Sequence, residues 1–360
     1  MASRLAHAVL KNTLRVKRGE NVIIESWTHM VPFARAFVVE ARKLGAKPIV
    51  LYEDDQAYWD SLESGDVKAL GIPGDHEWAA LEKADVYVFF WGPEDRVRFR
   101  RLGGRTTAAL NAYNHRWYEI AEKRKIRGAR MEIARATAPN AMEWGLDPGT
   151  WQKGLIEASL VDPRGMVRDA ARLGKILEKG KVVTISHPNG TNLTLHLKKR
   201  PAHREDGLVD EKDARDGWGM TDVPTGSVAV AVDETFAEGT FIANRPSTLR
   251  GGQATGGRFT FERGKLRSAA FETNAELFSG PYNAAGPGRD RPGILAIGLN
   301  PSVYQAPWLE EYERGVVTLY VGGNSVYGGS TKAPYLSWLS LAEATLEVDG
   351  KPLLRAGGQQ

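Results

Sequence analysis

Residues 21–52, NVIIESWTHMVPFARAFVVEARKLGAKPIVLY, read as strand, helix and strand in succession, and this reading decides the architecture of the first half. NVIIES (21–26) is a short, largely apolar run typical of a strand buried within a parallel sheet. Pro32 opens a helix in its first turn, where the missing N–H costs nothing. Phe33, Phe37, Ala41 and Leu44 recur at spacings of four, four and three, which makes one apolar face, and Gly45 ends the helix. PIVLY (48–52) is the returning strand.

The same alternation continues outward. Helical stretches near 54–62 and Glu77–Lys83 lead to a third strand, DVYVFF (85–90), then to a long helix near 106–124 and a strand near 129–135. Strands alternating with helices at this spacing predict an open, mainly parallel α/β sheet with helices on both faces and right-handed crossovers. The first strand leads into SWTHMVPF, and no G-x-G-x-x-G or G-x-x-x-x-G-K loop follows any strand, so nucleotide binding is not expected. His29 lies just beyond that strand. Carboxyl ends of strands in open sheets border ligand crevices, which makes it a substrate-binding candidate.

Residues 162–180 look like the joint. Asp162–Pro163 is a helix-start signal, Met166, Ala170, Leu173 and Leu177 share a face, and Gly180 closes the helix. Beyond it the pattern turns β-rich: VVTISH, LTLHL, SVAVAV, GTFIAN, RFTFERGKL, ILAIG, GVVTLYVGG and TLEVDGKPL, several alternating with period two. The expectation is an α/β domain over 1–177 and a β-rich α+β domain over 178–360, the latter carrying the site.

Composition excludes several classes. The 360 residues contain no cysteine, which removes disulfides, thiolate metal sites and cysteine nucleophiles. The N-terminal MASRLAHAVLKNTLRVKRGE reads as an amphipathic helix without an apolar run and cleavage site, so a secretory signal is not expected. No apolar run approaches the roughly eighteen residues that span a bilayer. A cytoplasmic location and no membrane association are therefore expected. The net charge is +4, with basic clusters at Arg96, Arg98, Arg100, Arg101 and Arg105 and at Lys123, Arg124, Lys125, Arg127 and Arg130. They accompany no nucleic-acid-binding motif and read as solvated surface, so no nucleic-acid partner is expected.

The residues also carry a family resemblance. LRVKRGENVIIES and ARKLGAKPIVLYED in the first half are followed by HPNGTNLTLHLKKR, DGWGMTDVPTGSVAVAVDETFAEGTF, GILAIGLNPSV, ERGVVTLYVGGNSVYGG and LEVDGKPLLRAG in the second. In order and spacing the chain resembles the aminopeptidase T and aminopeptidase S family of metallo-aminopeptidases over nearly its whole length. The resemblance implies an N-terminal α/β domain, a β-rich domain holding two adjacent metals, and a homodimer with an enclosed site. It also implies where ligands belong. The family's first Glu falls on Ser227, its second Glu on Ile294 and a His on Thr318. A closing His–Trp–Asp triplet falls on Ser337, Trp338 and Leu339, and a Tyr near the metals falls on Tyr327. A borderline cation needs carboxylate, imidazole or thiolate donors, which hydroxyl and hydrocarbon side chains do not replace. A divergent member without the metal pair is expected, with no cofactor.

Donor-type residues elsewhere are His187, His196 and His203 with Glu205 and Asp206. Alternation puts His196 opposite Leu193, Leu195 and Leu197, and PAHREDG places His203 in a polar loop. The expected function is metal-independent hydrolysis, or a related acid–base step, on a small cyclic or aromatic amide. Tyr327 or Lys332 would transfer the proton, with Ser337, Thr318 and Ser227 as hydroxyl groups. Trp338, Tyr320, Tyr335, Tyr304 and Trp308 would form the walls. Ring-opening dioxygenases acting on dihydroxypyridines belong to the same superfamily, but they keep His and Asp ligands. Two alternatives remain: a catalytically inactive binding or assembly protein, and a metallo-aminopeptidase with ligands relocated to Glu234, Glu238, Glu310, Glu311 or Glu313.

Overall fold

The computed structural model describes residues 1–64, 74–102, 104–249 and 252–360. The side chain of Arg105, in the first basic cluster, lies outside the described ones. Two compact units form, one from residues 1–160 and 207–224, the other from 161–206 and 225–360. Against the expected division at 177/178, the helix Pro163–Lys179 goes with the second unit and residues 207–224 return to the first.

In the first unit, five parallel strands are described. They run across the sheet as Lys47–Glu53, Asn21–Trp27, Val86–Phe90, Arg127–Met131 and Met220–Val223. Val31–Lys43 is the predicted helix: Pro32 sits in its first turn, Phe37 and Ala41 are buried, and Gly45 at φ +78° follows it. One sheet face packs Val22, Ile24, Val86 and Val88 with Phe37 and Leu10, while Ile23 and Tyr87 pack with Trp117 and Ile120 on the other. This is the expected α/β layer with helices on both faces. Among the described residues no helix is long and apolar enough to cross a membrane.

The second unit is antiparallel and curls around one long strand. Ser227–Ile242 joins the segments read separately as SVAVAV and GTFIAN, and it pairs with Thr191–Leu197, His203–Glu205, Arg258–Glu262 and Pro292–Gly298. Val317–Gly322 and Leu336–Leu341 extend the sheet beyond Pro292–Gly298. On its concealed side, Val228, Val230, Val232, Leu295, Ile297, Leu319 and Leu339 form one core with Met166, Ala170, Leu173 and Leu177 of the helix Pro163–Lys179. The Asp162 carboxylate caps that helix by accepting from the Arg164 N–H at 3.0 Å. His196 lies off the core, stacked on Phe236 with centroids 3.6 Å apart.

Two features of this framework are testable. Gly239 sits at φ +112°, and a Cβ there would meet the Asn192 carbonyl oxygen at 2.1 Å. Gly239→Ala should therefore lower stability by more than about 1 kcal/mol, read from chemical denaturation. In the first unit, burial pushes the Glu25 carboxyl up to about 8; the Tyr87 hydroxyl bond opposes this and nearby Glu53 and Glu77 add to it. A raised carboxyl favours the fold in its protonated form. The contribution is complete below the ordinary carboxyl value of 4.5 and is lost as pH rises through about 8. Thermal unfolding against pH should show this decline, and Glu25→Gln should flatten it.

Candidate functional site

Side chains alternate across the sheet of the second unit, so every strand with one alternate set in the core presents the other set on the opposite face. With Val228, Val230, Leu295, Ile297, Val317, Leu319, Leu339 and Leu341 in the core, the opposite face receives Ser227, Ala229, Ile294, Ala296, Gly298, Thr318, Tyr320, Trp338 and Ser340. The short edge strand His203–Glu205 obeys the same rule. Arg204 turns to the core-side helix and pairs with Glu178 at 2.6 Å, so His203 and Glu205 face the other way. Register sets them in two rows, His203–Ala229–Ala296–Thr318–Ser340 and Glu205–Ser227–Gly298.

This face is apolar at its centre and polar at its ends. Ala229, Ile294, Ala296 and Tyr320 form a small buried cluster, with Tyr327 and Trp338 packed against it. At one end His203 Nε2 lies 3.3 Å from Glu205 Oε1, and Glu205 Oε2 accepts from the Thr225 hydroxyl at 3.0 Å. The Tyr327 ring stands edge-on to the His203 imidazole, with centroids 5.7 Å apart. Nearby, the Tyr320 hydroxyl donates to Glu311 Oε2 at 2.5 Å. Burial, reinforced by the Glu311 charge, holds the Tyr320 phenol well above its ordinary range, so it remains a neutral donor. Thr318 Oγ1 and Ser340 Oγ share a hydrogen bond of 2.9 Å.

Two loops complete the face. A Cβ on Gly298 would lie 1.9 Å from the Glu313 carbonyl oxygen and 2.9 Å from that of Glu311. Glycine is what lets the 311–313 segment cross here and bring Glu311 to Tyr320. Tyr327 rides on a short helical turn, Ser325–Tyr327, whose base is the buried Asn324. The Asn324 side chain accepts from the Thr331 N–H at 3.0 Å and donates to Glu234 Oε1 at 2.9 Å and to the Gly293 carbonyl at 3.1 Å. Glu234 also accepts from the Ser330 N–H at 2.6 Å and pairs with Arg200 at 2.9 Å. Burial would raise its carboxyl, but the Arg200 bond and the other donors outweigh it and bring it down to about 2.

The structure brings together Ser227, Thr318, Tyr320, Tyr327 and Trp338 among the expected site residues. It does not bring in the rest. Ser337 and its neighbour Leu339 belong to the core side, because a triplet on a strand cannot put its outer members on the face that holds its middle one. Tyr335 packs against Phe278 and Tyr282 in the same core, at 6.3 and 5.8 Å between centroids. Lys332 is exposed. Tyr304 is 70% exposed with the Arg245 guanidinium 5.7 Å from its ring centroid, and Trp308 sits half-buried in a loop with its N–H bonded to Thr248. His29 belongs to the first unit, where Nε2 lies 3.0 Å from the Ala134 carbonyl. His203, Glu205 and Glu311 were missed as members of this face. The alternating H-x-E of 203–205 was the available signal, masked by the loop-like composition around it.

The carboxylates offered as relocated ligands are engaged apart from one another. Glu234 serves Arg200 and Asn324, Glu313 forms a two-bond pair with Arg245, Glu310 accepts from Thr248, Glu238 accepts from the Arg263 N–H, and Glu311 accepts from Tyr320. Among the described residues no three His, Cys, Asp or Glu side chains converge to hold a metal ion. Ile294, Ala229, Ala296 and Trp338 occupy the centre of the face, and none of these side chains is a metal donor.

An α/β layer joined to a curled antiparallel unit defines an aminopeptidase T-like fold. Wild-type AmpT from Thermus thermophilus superposes with a TM-score of 0.76 at 16% identity, covering 99% of this chain and 98% of that one. The 2,5-dihydroxypyridine dioxygenase from Pseudomonas putida KT2440 superposes with a TM-score of 0.65 at 16% identity, covering 100% of this chain and 96% of that one. No family model and no curated protein sequence matches the chain.

The depressed Glu234 carboxyl supplies a check on the loop that carries Tyr327. A lowered carboxyl stabilises the fold above its ordinary value of 4.5, and the contribution is lost as pH falls through about 2. Glu234→Gln should be less stable than the native chain at pH 7, and the difference should shrink in acid. Thermal unfolding across pH reads it directly.

Proposed function

We propose that the second unit is a metal-independent acid–base enzyme for a small amide-type molecule, cyclic or aromatic, with His203 as the proton-transfer group. The observation that supports this reading is the Thr225–Glu205–His203 relay set beside an apolar bay. A carboxylate can only accept, so Nε2 donates to Glu205 and the neutral imidazole carries its lone pair on Nδ1. His203 would take a proton from water as that water adds to the amide carbon, and would return it to the departing nitrogen as the C–N bond breaks. The Tyr327 hydroxyl is the donor for the developing oxyanion. Ile294, Ala229, Ala296 and Trp338 would receive the apolar body, and Ser227 and Thr318 are the polar groups beside it.

One observation favours the second reading, a binding protein without turnover. The hydroxyls of Tyr320 and Thr318 are engaged by Glu311 and Ser340 rather than presented to a substrate. A panel of small cyclic and aromatic amides separates the two readings. A ligand at a hundredfold its dissociation constant raises stability by about 2.7 kcal/mol whether or not it is turned over.

Under the enzymatic reading, His203→Gln should lower turnover at least about a hundredfold while the thermal shift by substrate persists. Ser337→Ala and Lys332→Ala should leave turnover unchanged, since neither side chain joins this face. Binding without turnover of any amide, equal in native and His203→Gln chains, would leave the binding protein. Two equivalents of zinc, cobalt or manganese in protein purified without chelator would restore the metallo-aminopeptidase reading.

A further inference from the structure

The first unit carries chemistry that the proposed acid–base site does not use. Its strand order reverses between Asn21–Trp27 and Val86–Phe90, and the carboxyl ends of strands at such a reversal border the crevice where open α/β sheets take ligands. Three buried N–H groups near these ends, Trp27 Nε1, Trp91 Nε1 and Arg96 Nη1, have no acceptor from the protein. A buried donor without an acceptor costs roughly 1–3 kcal/mol, so three near one crevice call for an acceptor from outside the chain.

The surroundings hold these groups in place. The Arg96 guanidinium lies 4.2 Å from the Trp91 ring centroid, and that of Arg135 lies 4.8 Å from it. Asn140 fixes both arginine-bearing segments, accepting from the Arg96 N–H at 3.1 Å and donating to the Arg135 carbonyl at 3.0 Å. Trp27 meets Tyr58 edge-on at 4.9 Å, and Tyr58 continues to Phe99 at 6.3 Å, so aromatic rings gather beside these strand ends.

Charge selects the ligand. Arg135 is paired with Glu132 at 2.6 Å, whereas Arg96 has no carboxylate at ion-pair distance among the described residues. Asp55 accepts from the Glu94 N–H at 2.6 Å and lies 3.7 Å from His29 Nδ1. Glu132 is taken up by Arg135 and Asp222 by Arg130, while Glu25 and Glu53 stand close enough to act on Tyr58, so Arg96 accommodates one added negative charge here better than the two of a phosphate dianion. A guanidinium fork matches a carboxylate, and the rings match a planar apolar body.

We propose that this crevice binds a small aromatic monocarboxylate, its carboxylate received by Arg96 and the indole N–H groups. It lies within the first unit and shares no residue with the acid–base site. The test is calorimetric titration of the full chain with benzoate, alongside tryptophan fluorescence. Saturable binding is expected, weakened at least about tenfold by Arg96→Met and likewise by Arg96→Lys, whose point charge lacks the fork. If Arg96→Met fails to fold by circular dichroism, Arg96→Lys decides alone. Benzoate binding that ignores both substitutions would overturn the site. Tighter binding of inorganic phosphate than of benzoate would overturn the ligand class. No saturable binding of either, the result expected if only solvent caps these N–H groups, would overturn both.

Discussion

A β-strand offers only every second side chain to one face of its sheet, and the second unit depends on that restriction. Ser227–Ile242 is the strand through which it acts: Val228, Val230 and Val232 are committed to the helix-covered core, so Ser227 and Ala229 have one direction left. Pairing transmits the choice sideways, from His203 through Ala229, Ala296 and Thr318 to Ser340. A slip of one residue in any of these strands would carry hydrocarbon out of the core and the site residues into it. The strength of the core therefore sets the precision of the site.

Above that sheet the construction rests on satisfied polar groups. Asn324, only 1% exposed, has its amide occupied on both ends, and Glu234 collects an amide, a backbone N–H and a guanidinium. Buried polar networks favour one arrangement when every member is paired. Gly298 contributes by the opposite means, a missing side chain that admits the 311–313 segment. Tyr327 and Glu311 thus reach the same face from two loops anchored in different ways.

The fold similarity carries no chemistry of its own. At 16% identity to either structural neighbour, what is shared is the path of the chain. Ile294, Ala229 and Ala296 make the centre of the face dry, which strengthens hydrogen bonds at its margin and raises the cost of any unpaired charge.

The α/β layer was legible from residues 21–52 because helix and strand have different periods, and local runs record them. The core face of Pro163–Lys179 was legible for the same reason. The strand Met220–Val223 was not: it completes the parallel sheet only after the chain has left the first unit and returned. Ser227, Thr318, Tyr320, Tyr327 and Trp338, named from sequence, share one face of the sheet, whereas Ser337 and Leu339 were placed without knowing which side of their strand the core would claim. His203 and Glu205 sit in a segment whose proline and charges read as a loop, and only pairing with Ser227–Ala229 makes it a strand. Sequence by itself determined where several helices and most strands lie, because those depend on neighbours along the chain, but it left Ala138–Trp144, Pro148–Ser159 and Glu276–Ala284 unread. Which side chains face one another was decided only in the tertiary structure, because strand register and loop crossings depend on residues far apart.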